Sequence, residues 1–210
     1  MDLIVLAGGR GRRMGGAKGG LKLDGVTLVE TVIGRLRELF DNVIISSASG
    51  DSFQHVDAIE VADIYPNCGS LGGLHAGLSA VRSPRAFAIA CDMPFVNPGL
   101  VKLLVSRPGE FEVVVPRIAD GKLEPLHAVY SKSCMPHMES LLESGNLRIF
   151  DFFDRVKVEY VEADRITGID PEMLSFFNVN TPEDLERARM LTAKRLPSDG
   201  RTGTADEQLR

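Results

Sequence analysis

Short apolar runs rich in β-branched residues recur along the chain, separated by stretches in which apolar positions return every three or four residues. The runs Leu3 to Ala7, Val43 to Ser46, Ala86 to Ala90, Val113 to Val115 and Val156 to Val161 read as strands. Between the first two, Val29, Val32, Ile33, Leu36 and Leu39 share one face of a helix, and Glu30, Arg35, Arg37 and Glu38 share the other. Further helices are predicted around Leu71 to Val81, Pro98 to Ser106, Lys132 to Glu143 and Pro182 to Lys194. Thr181 ahead of Pro182 and Glu183 is a start signal for the last of these, because a hydroxyl caps the first turn and proline suits it. Strand and helix in alternation predict an α/β fold of three layers, a mainly parallel sheet with helices on both faces. Sites in such folds lie beyond the carboxyl ends of the strands.

Composition narrows the class. The chain has 210 residues, near the usual size of one domain, and 44% of them are hydrophobic, ample for a buried core. We therefore expect a single domain over residues 1–194. From residue 195 to 210 the chain is polar, without apolar period, and is expected to be a disordered tail. The apolar runs are far shorter than the roughly 18 residues of a membrane span, and the amino terminus carries no export signal. Three cysteines, Cys68, Cys91 and Cys134, stand at wide spacing without a CxxC pair, which suits a reducing cytoplasm rather than a disulfide framework or zinc site. A net charge of −5 argues against a nucleic-acid surface. Its distribution matters more: Arg10, Arg12, Arg13, Lys18 and Lys22 crowd one short stretch, a place for a small polyanion.

All but Lys22 fall within LAGGRGRRMGGAKGGL, Leu6 to Leu21, which begins where the first strand should end. Glycines there let backbone N–H groups approach phosphate, and the cationic side chains neutralise it. It is neither a P-loop, because Gly19 follows Lys18 where Ser or Thr is needed, nor a dinucleotide fingerprint, because Met14 stands where glycine is required. A solvated surface loop is the alternative. The second feature, CDMPFVNP from Cys91 to Pro98, closes the apolar strand Ala86 to Ala90. Asp92 there is a candidate Mg²⁺ ligand against phosphate oxygens, or else a turn aspartate before Pro94. His75 and His127 lie in apolar surroundings, helix-like and strand-like respectively, have no ligand-like spacing to a partner and read as packed residues.

With these segments in view, and FNVNTPEDL from Phe177 to Leu185, the chain resembles the molybdenum cofactor guanylyltransferases. That family is similar in turn to the Rossmann-like sugar-nucleotide pyrophosphorylases. The family opens on LAGGxxxRMG…K, matched by Leu6, Ala7, Gly8, Gly9, Arg13, Met14, Gly15 and Lys18. The likeness continues through Ala62 to Leu78, CDMPFV, EPLHAVY (Glu124 to Tyr130), the GNLR segment and NVNTPEDL, thus over most of residues 1 to 190. It implies a Rossmann-like domain and Mg²⁺-dependent transfer of GMP from GTP to molybdopterin, carrying its metal or not, with release of pyrophosphate. It implies that the backbone of Leu6, Ala7, Gly8 and Gly9 meets the nucleotide, that Arg13 and Lys18 bind its phosphates, and that Lys18, Arg13 and Asp92 are catalytic. Asp63 is implied as a nucleotide contact, beside a base-side loop that reads GSLGG here where most relatives have GPLAG, so that Ser70 and Gly72 replace Pro and Ala. Relatives tend to carry asparagine where Ser46 or Ser47 ends the second strand. Arg148, Asn178 and Asn180 match positions implied near the pterin, the cofactor phosphate and the metal, each equally readable as a helix-end or turn residue. Transient contact with other molybdenum cofactor biosynthesis proteins is implied as well, and no nucleic-acid or membrane partner. A cytidylyltransferase for the same pterin, a sugar-phosphate nucleotidyltransferase and a nucleotide sensor without catalysis are the rival readings. LAGG, where cytidine-using relatives carry LAAG, favours guanine.

Overall fold

The computed structural model describes residues 1–8, 20–47, 53 and 55–195. Gly9, Arg13 and Lys18, expected in the site, lie outside the described residues, as does the tail from residue 196. In chain order the elements are β1 (Asp2–Leu6), β2 (Lys22–Leu23), β3 (Val26–Thr27), α1 (Leu28–Leu36), β4 (Val43–Ser47), β5 (Ile59–Ala62) and α2 (Gly69–Ala80). They continue with β6 (Arg85–Ala90), α3 (Pro98–Val105), β7 (Val113–Arg117), β8 (His127–Ser131), α4 (Met135–Glu143), β9 (Val158–Glu162), α5 (Ala163–Thr167) and α6 (Pro182–Arg195).

Seven strands form one sheet in the order β5-β4-β1-β6-β8-β7-β9, and β2 pairs with β3 in a separate hairpin. Every strand of the large sheet runs parallel to β1 except β8, which is inserted antiparallel between β6 and β7. The predicted α/β fold with a mainly parallel sheet is thus what the chain forms. Side-chain alternation splits each strand between two cores. Leu3, Val5, Val43, Ile45, Phe87, Ile89 and Val129 face α1, α3 and α5, whereas Ile4, Leu6, Ile44, Ala86, Ala88 and Tyr130 face α2 and α4. The three layers follow directly, since both faces of the sheet are apolar and each needs helices to cover it. A smaller cluster of Leu23, Leu28, Phe95, Val179 and Ala188 fastens α6 against the hairpin.

Caps set the helix starts. Thr27 caps α1 by accepting from the Glu30 N–H at 3.2 Å, while the Glu30 carboxylate accepts from the Thr27 N–H at 2.8 Å, a reciprocal pair. Thr181 caps α6 in the same way, its hydroxyl accepting from Asp184 N–H at 3.1 Å. Helix α2 lies unusually close to the sheet because its inner face is glycine. A Cβ added at Gly77 would stand 2.5 Å from Cγ2 of Ile4, which is fully buried. Gly77→Ala should therefore lower the stability by about 1–3 kcal/mol, overpacking outweighing the roughly 1 kcal/mol that alanine gains in a helix. Denaturant titration checks this, and a variant as stable as the parent would show that α2 can move away from β1.

Candidate active site

The sheet brings its parallel carboxyl ends together where β1, β4 and β6 stop. β1 ends at Leu6, and the glycine- and arginine-rich stretch begins there. The Leu6 carbonyl accepts from Cys91 N–H at 3.1 Å and the Ala7 N–H donates to the Ser46 carbonyl at 2.8 Å. These two bonds lock the start of the loop between the ends of β6 and β4. Ala7 is buried behind the site, so the described backbone that opens to it is Gly8.

Two open cavities meet at this point. The larger, about 720 Å³, is lined by Leu6, Gly8, Ser46, Asp63, Asn67 and Gly73 among others. Its volume falls in the usual range for a bound small molecule. Asp63 stands just past β5, and its Oδ1 accepts from the Ser46 hydroxyl at 3.3 Å. Partial burial raises the Asp63 carboxyl above its usual range, with the Ser46 hydroxyl opposing. Serine at the end of β4 therefore holds the aspartate in place, whereas an asparagine there would reach further into the cavity. The first turn of α2, with Gly69 and Ser70, forms another wall and turns the positive end of a helix dipole to the cavity.

The departure from GPLAG also acquires a physical reason. A Cβ at Gly72 would lie 2.9 Å from the Tyr65 carbonyl oxygen and 3.0 Å from Cys68 Cβ. In this chain the 63–68 loop passes so close to α2 that only glycine fits. Gly72→Ala should push that loop, and Asp63 with it, out of line while leaving α2 helical. Calorimetry with GTP, the nucleotide expected from the sequence, is the check: about tenfold weaker binding than the parent, the equivalent of about 1.4 kcal/mol, is the expected result, and unchanged affinity would show that the loop yields freely.

The smaller cavity, about 270 Å³, shares Leu6, Gly8 and Ser70 with the first and adds Cys91, Asp92, Met93, Glu124, Leu126 and Asn178. Asp92 follows β6 by two residues and is only 8% exposed. Its carbonyl accepts from Val179 N–H at 2.8 Å, which ties the NVN segment to the site. Asn178 lines the cavity with its amide nitrogen donated to the Phe176 carbonyl at 3.1 Å, which leaves the amide oxygen as the group to be offered. Asn180 is at the edge instead, its N–H donated to Asp184 at 3.0 Å, and Arg148 is exposed at the start of a 3₁₀ turn. Ionised carboxylate and amide oxygens are hard donors, so the residues present fit Mg²⁺.

Glu124 was not among the residues singled out from the sequence. It is as buried as Asp92 and lines the same cavity. Burial raises its carboxyl above the usual range, Lys122 opposes this, and the charge of Asp92 adds to it. Within EPLHAVY, quoted only as a family segment, the signal available was a carboxylate beside a proline just before an apolar run. The histidines are packed residues: His75 Nε2 lies 3.1 Å from Glu139, and His127 is fully buried between Phe87 and Phe176.

Comparison with known proteins bears on this geometry. Residues 3–157 match the family model described as MobA-like NTP transferase domain. A protein of Pelotomaculum thermopropionicum named "Probable molybdenum cofactor guanylyltransferase" is 36% identical over 188 residues, 90% of this chain and 91% of its own. The molybdenum cofactor guanylyltransferase of Desulfosudis oleivorans is 34% identical over 187 residues, 88% of this chain and 92% of its own. Among solved structures, the molybdopterin-guanine dinucleotide biosynthesis protein A of Archaeoglobus fulgidus superposes with a TM-score of 0.79 at 30% identity, covering 92% of this chain and all of that one. With its two cavities joined at the end of β1 and these likenesses running nearly end to end, the chain belongs to the molybdenum cofactor guanylyltransferase family of MobA-like nucleotidyltransferases.

Proposed function

We propose that the chain binds GTP with Mg²⁺ and transfers GMP to the terminal phosphate of molybdopterin, with molybdenum bound or not, in the cytoplasm. The observation that carries this reading is that two cavities adjoin at Gly8: a nucleoside-sized space holding Asp63 and a smaller one holding Asp92 share Leu6, Gly8 and Ser70 in their walls. Guanine presents N1–H and an exocyclic amine side by side, and a carboxylate accepts from both, an arrangement that adenine and cytosine do not offer. The triphosphate would then run past Gly8 toward Asp92. There an oxygen of the acceptor phosphate bonds to the α-phosphorus as the bond from that phosphorus to the bridging oxygen breaks, and pyrophosphate leaves with the electron pair. An ionised phosphate is already a nucleophile, so alignment and charge neutralisation carry the catalysis and no general base is needed. Asp92 would hold Mg²⁺, which supplies neutralisation of phosphate charge. Arg13 and Lys18, on the sequence stretch that continues from Gly8, would add positive charge for the leaving group.

Cys68, Cys91 and Cys134 form no disulfide, which supports a reducing compartment, and among the described residues no helix is long and apolar enough to cross a membrane. The thermal midpoint with GTP, ATP or CTP, each with Mg²⁺, tests the binding half of the proposal. A ligand at a hundred times its Kd stabilises the native state by about 2.7 kcal/mol. GTP is expected to give the largest rise; a larger rise with CTP, or none with any nucleotide, would overturn it.

A further inference from the structure

We propose that Glu124 is a second carboxylate for the divalent cation of this site, acting together with Asp92; the inference rests on the nucleotidyltransferase reading above. Two chain segments far apart in sequence converge here. Asp92 follows β6, and Glu124 precedes β8, the antiparallel strand beside it, where Ala90 N–H donates to the Leu126 carbonyl at 3.1 Å. Insertion of β8 between β6 and β7 thus sets both carboxylates in the wall of one cavity of about 270 Å³, each residue only 8% exposed.

The backbone around Glu124 is tightly fixed. Its N–H donates to the Pro116 carbonyl at 3.1 Å and its carbonyl accepts from His127 N–H at 3.1 Å. Lys122 Nζ lies 3.8 Å from the Glu124 carboxylate and is 67% exposed, so this pairing is loose and open to solvent. A triphosphate and an acceptor phosphate both carry negative charge, and neither can approach two buried carboxylates unless a cation stands between. Asn178 lines the same cavity, and its side-chain amide carries a neutral oxygen of the kind that such cations accept. Two carboxylates and an amide oxygen are the hard donors that Mg²⁺ and Mn²⁺ take.

Mn²⁺ binding by electron paramagnetic resonance tests this on the whole chain, with and without GTP and without reference to turnover. Glu124→Gln is expected to weaken Mn²⁺ binding about 10- to 100-fold. Asp92→Asn serves as the comparison. In EDTA the Glu124→Gln variant should melt at or above the parent, because the amide removes like-charge repulsion. A carboxylate serving only to pair with Lys122 would instead leave the variant melting lower with its metal affinity intact. Lys122→Ala, an exposed change that spares the core, should tighten Mn²⁺ by about two- to fivefold by removing a competing charge. Unchanged Mn²⁺ affinity in Glu124→Gln, or in Lys122→Ala should the first variant not fold, would overturn the assignment of Glu124. If that happens while Asp92→Asn still loses the metal, the proposed function stands without Glu124. A parent chain that binds no Mn²⁺ even with GTP would overturn both.

Discussion

Replacing Asp92 with asparagine is expected to cut GMP transfer by about 10²- to 10³-fold while leaving the fold intact. The carboxylate follows β6 by two residues at the carboxyl edge of the sheet, and the stretch expected to carry the triphosphate leaves β1 beside it. Asparagine keeps the size and one oxygen but not the charge, so the cation should be held far less firmly while Val179 still donates to the residue 92 carbonyl. Initial rates against Mg²⁺ concentration for parent and variant, with their thermal midpoints, check this. An unchanged rate at limiting Mg²⁺ would remove Asp92 from the metal site, and most of the mechanism with it.

The second large effect is on stability in acid. His127 is fully buried among Phe87 and Phe176, and neither ring nitrogen has a hydrogen-bond partner among the described residues. Burial pushes its imidazolium pKa down to about 3 from an ordinary 6.5, with Asp170 opposing. In the unfolded chain the ring takes up a proton near pH 6.5, whereas the folded protein refuses it until about pH 3. Stability from the neutral ring is thus fully present above pH 6.5 and is lost as pH falls from there toward 3, by up to about 1.4 kcal/mol per pH unit. A loss of several kcal/mol is a large part of the 5–15 typical of a domain. Glu124 and Asp63, with raised carboxyls, act in the opposite sense and recover stability as they protonate. His127→Leu isolates the ring, since the carboxylate contributions cancel in the comparison. Between pH 6.5 and 4.5 the variant's unfolding free energy should fall much less than the parent's; parallel curves would mean that the ring is protonated in the folded state.

Five strands were legible as short apolar runs, and all the long helices because their apolar positions recur every three or four residues. β5 was not: Ile59 and Glu60 are exposed and only Val61 is half-buried, so an edge strand shows no buried alternation to read. β8 was read only as strand-like surroundings for His127, without bounds: HAVYS holds a single β-branched residue, Val129, so its apolar run is short and weak. Its place in the sheet was not legible, and that hid Glu124, whose burial depends on the strand crossing between β6 and β7 rather than on anything local. Asp92 was found because it sits just past a strand end, where a polar residue after an apolar run stands out, whereas Asp63 follows the unread β5 and came only from the family resemblance. Gly72 illustrates the opposite limit. The change from GPLAG was visible as letters, but the close approach of Tyr65 that requires it is a tertiary fact.

Turnover with purified molybdopterin tests the central claim most directly. GTP, ATP and CTP are supplied in turn with Mg²⁺, and both pyrophosphate and the dinucleotide product are measured. The account predicts one pyrophosphate per dinucleotide, none without molybdopterin, and a kcat/KM for GTP well above those for ATP and CTP. Equal values for the three nucleotides, a preference for CTP, or GTP binding without product would contradict it.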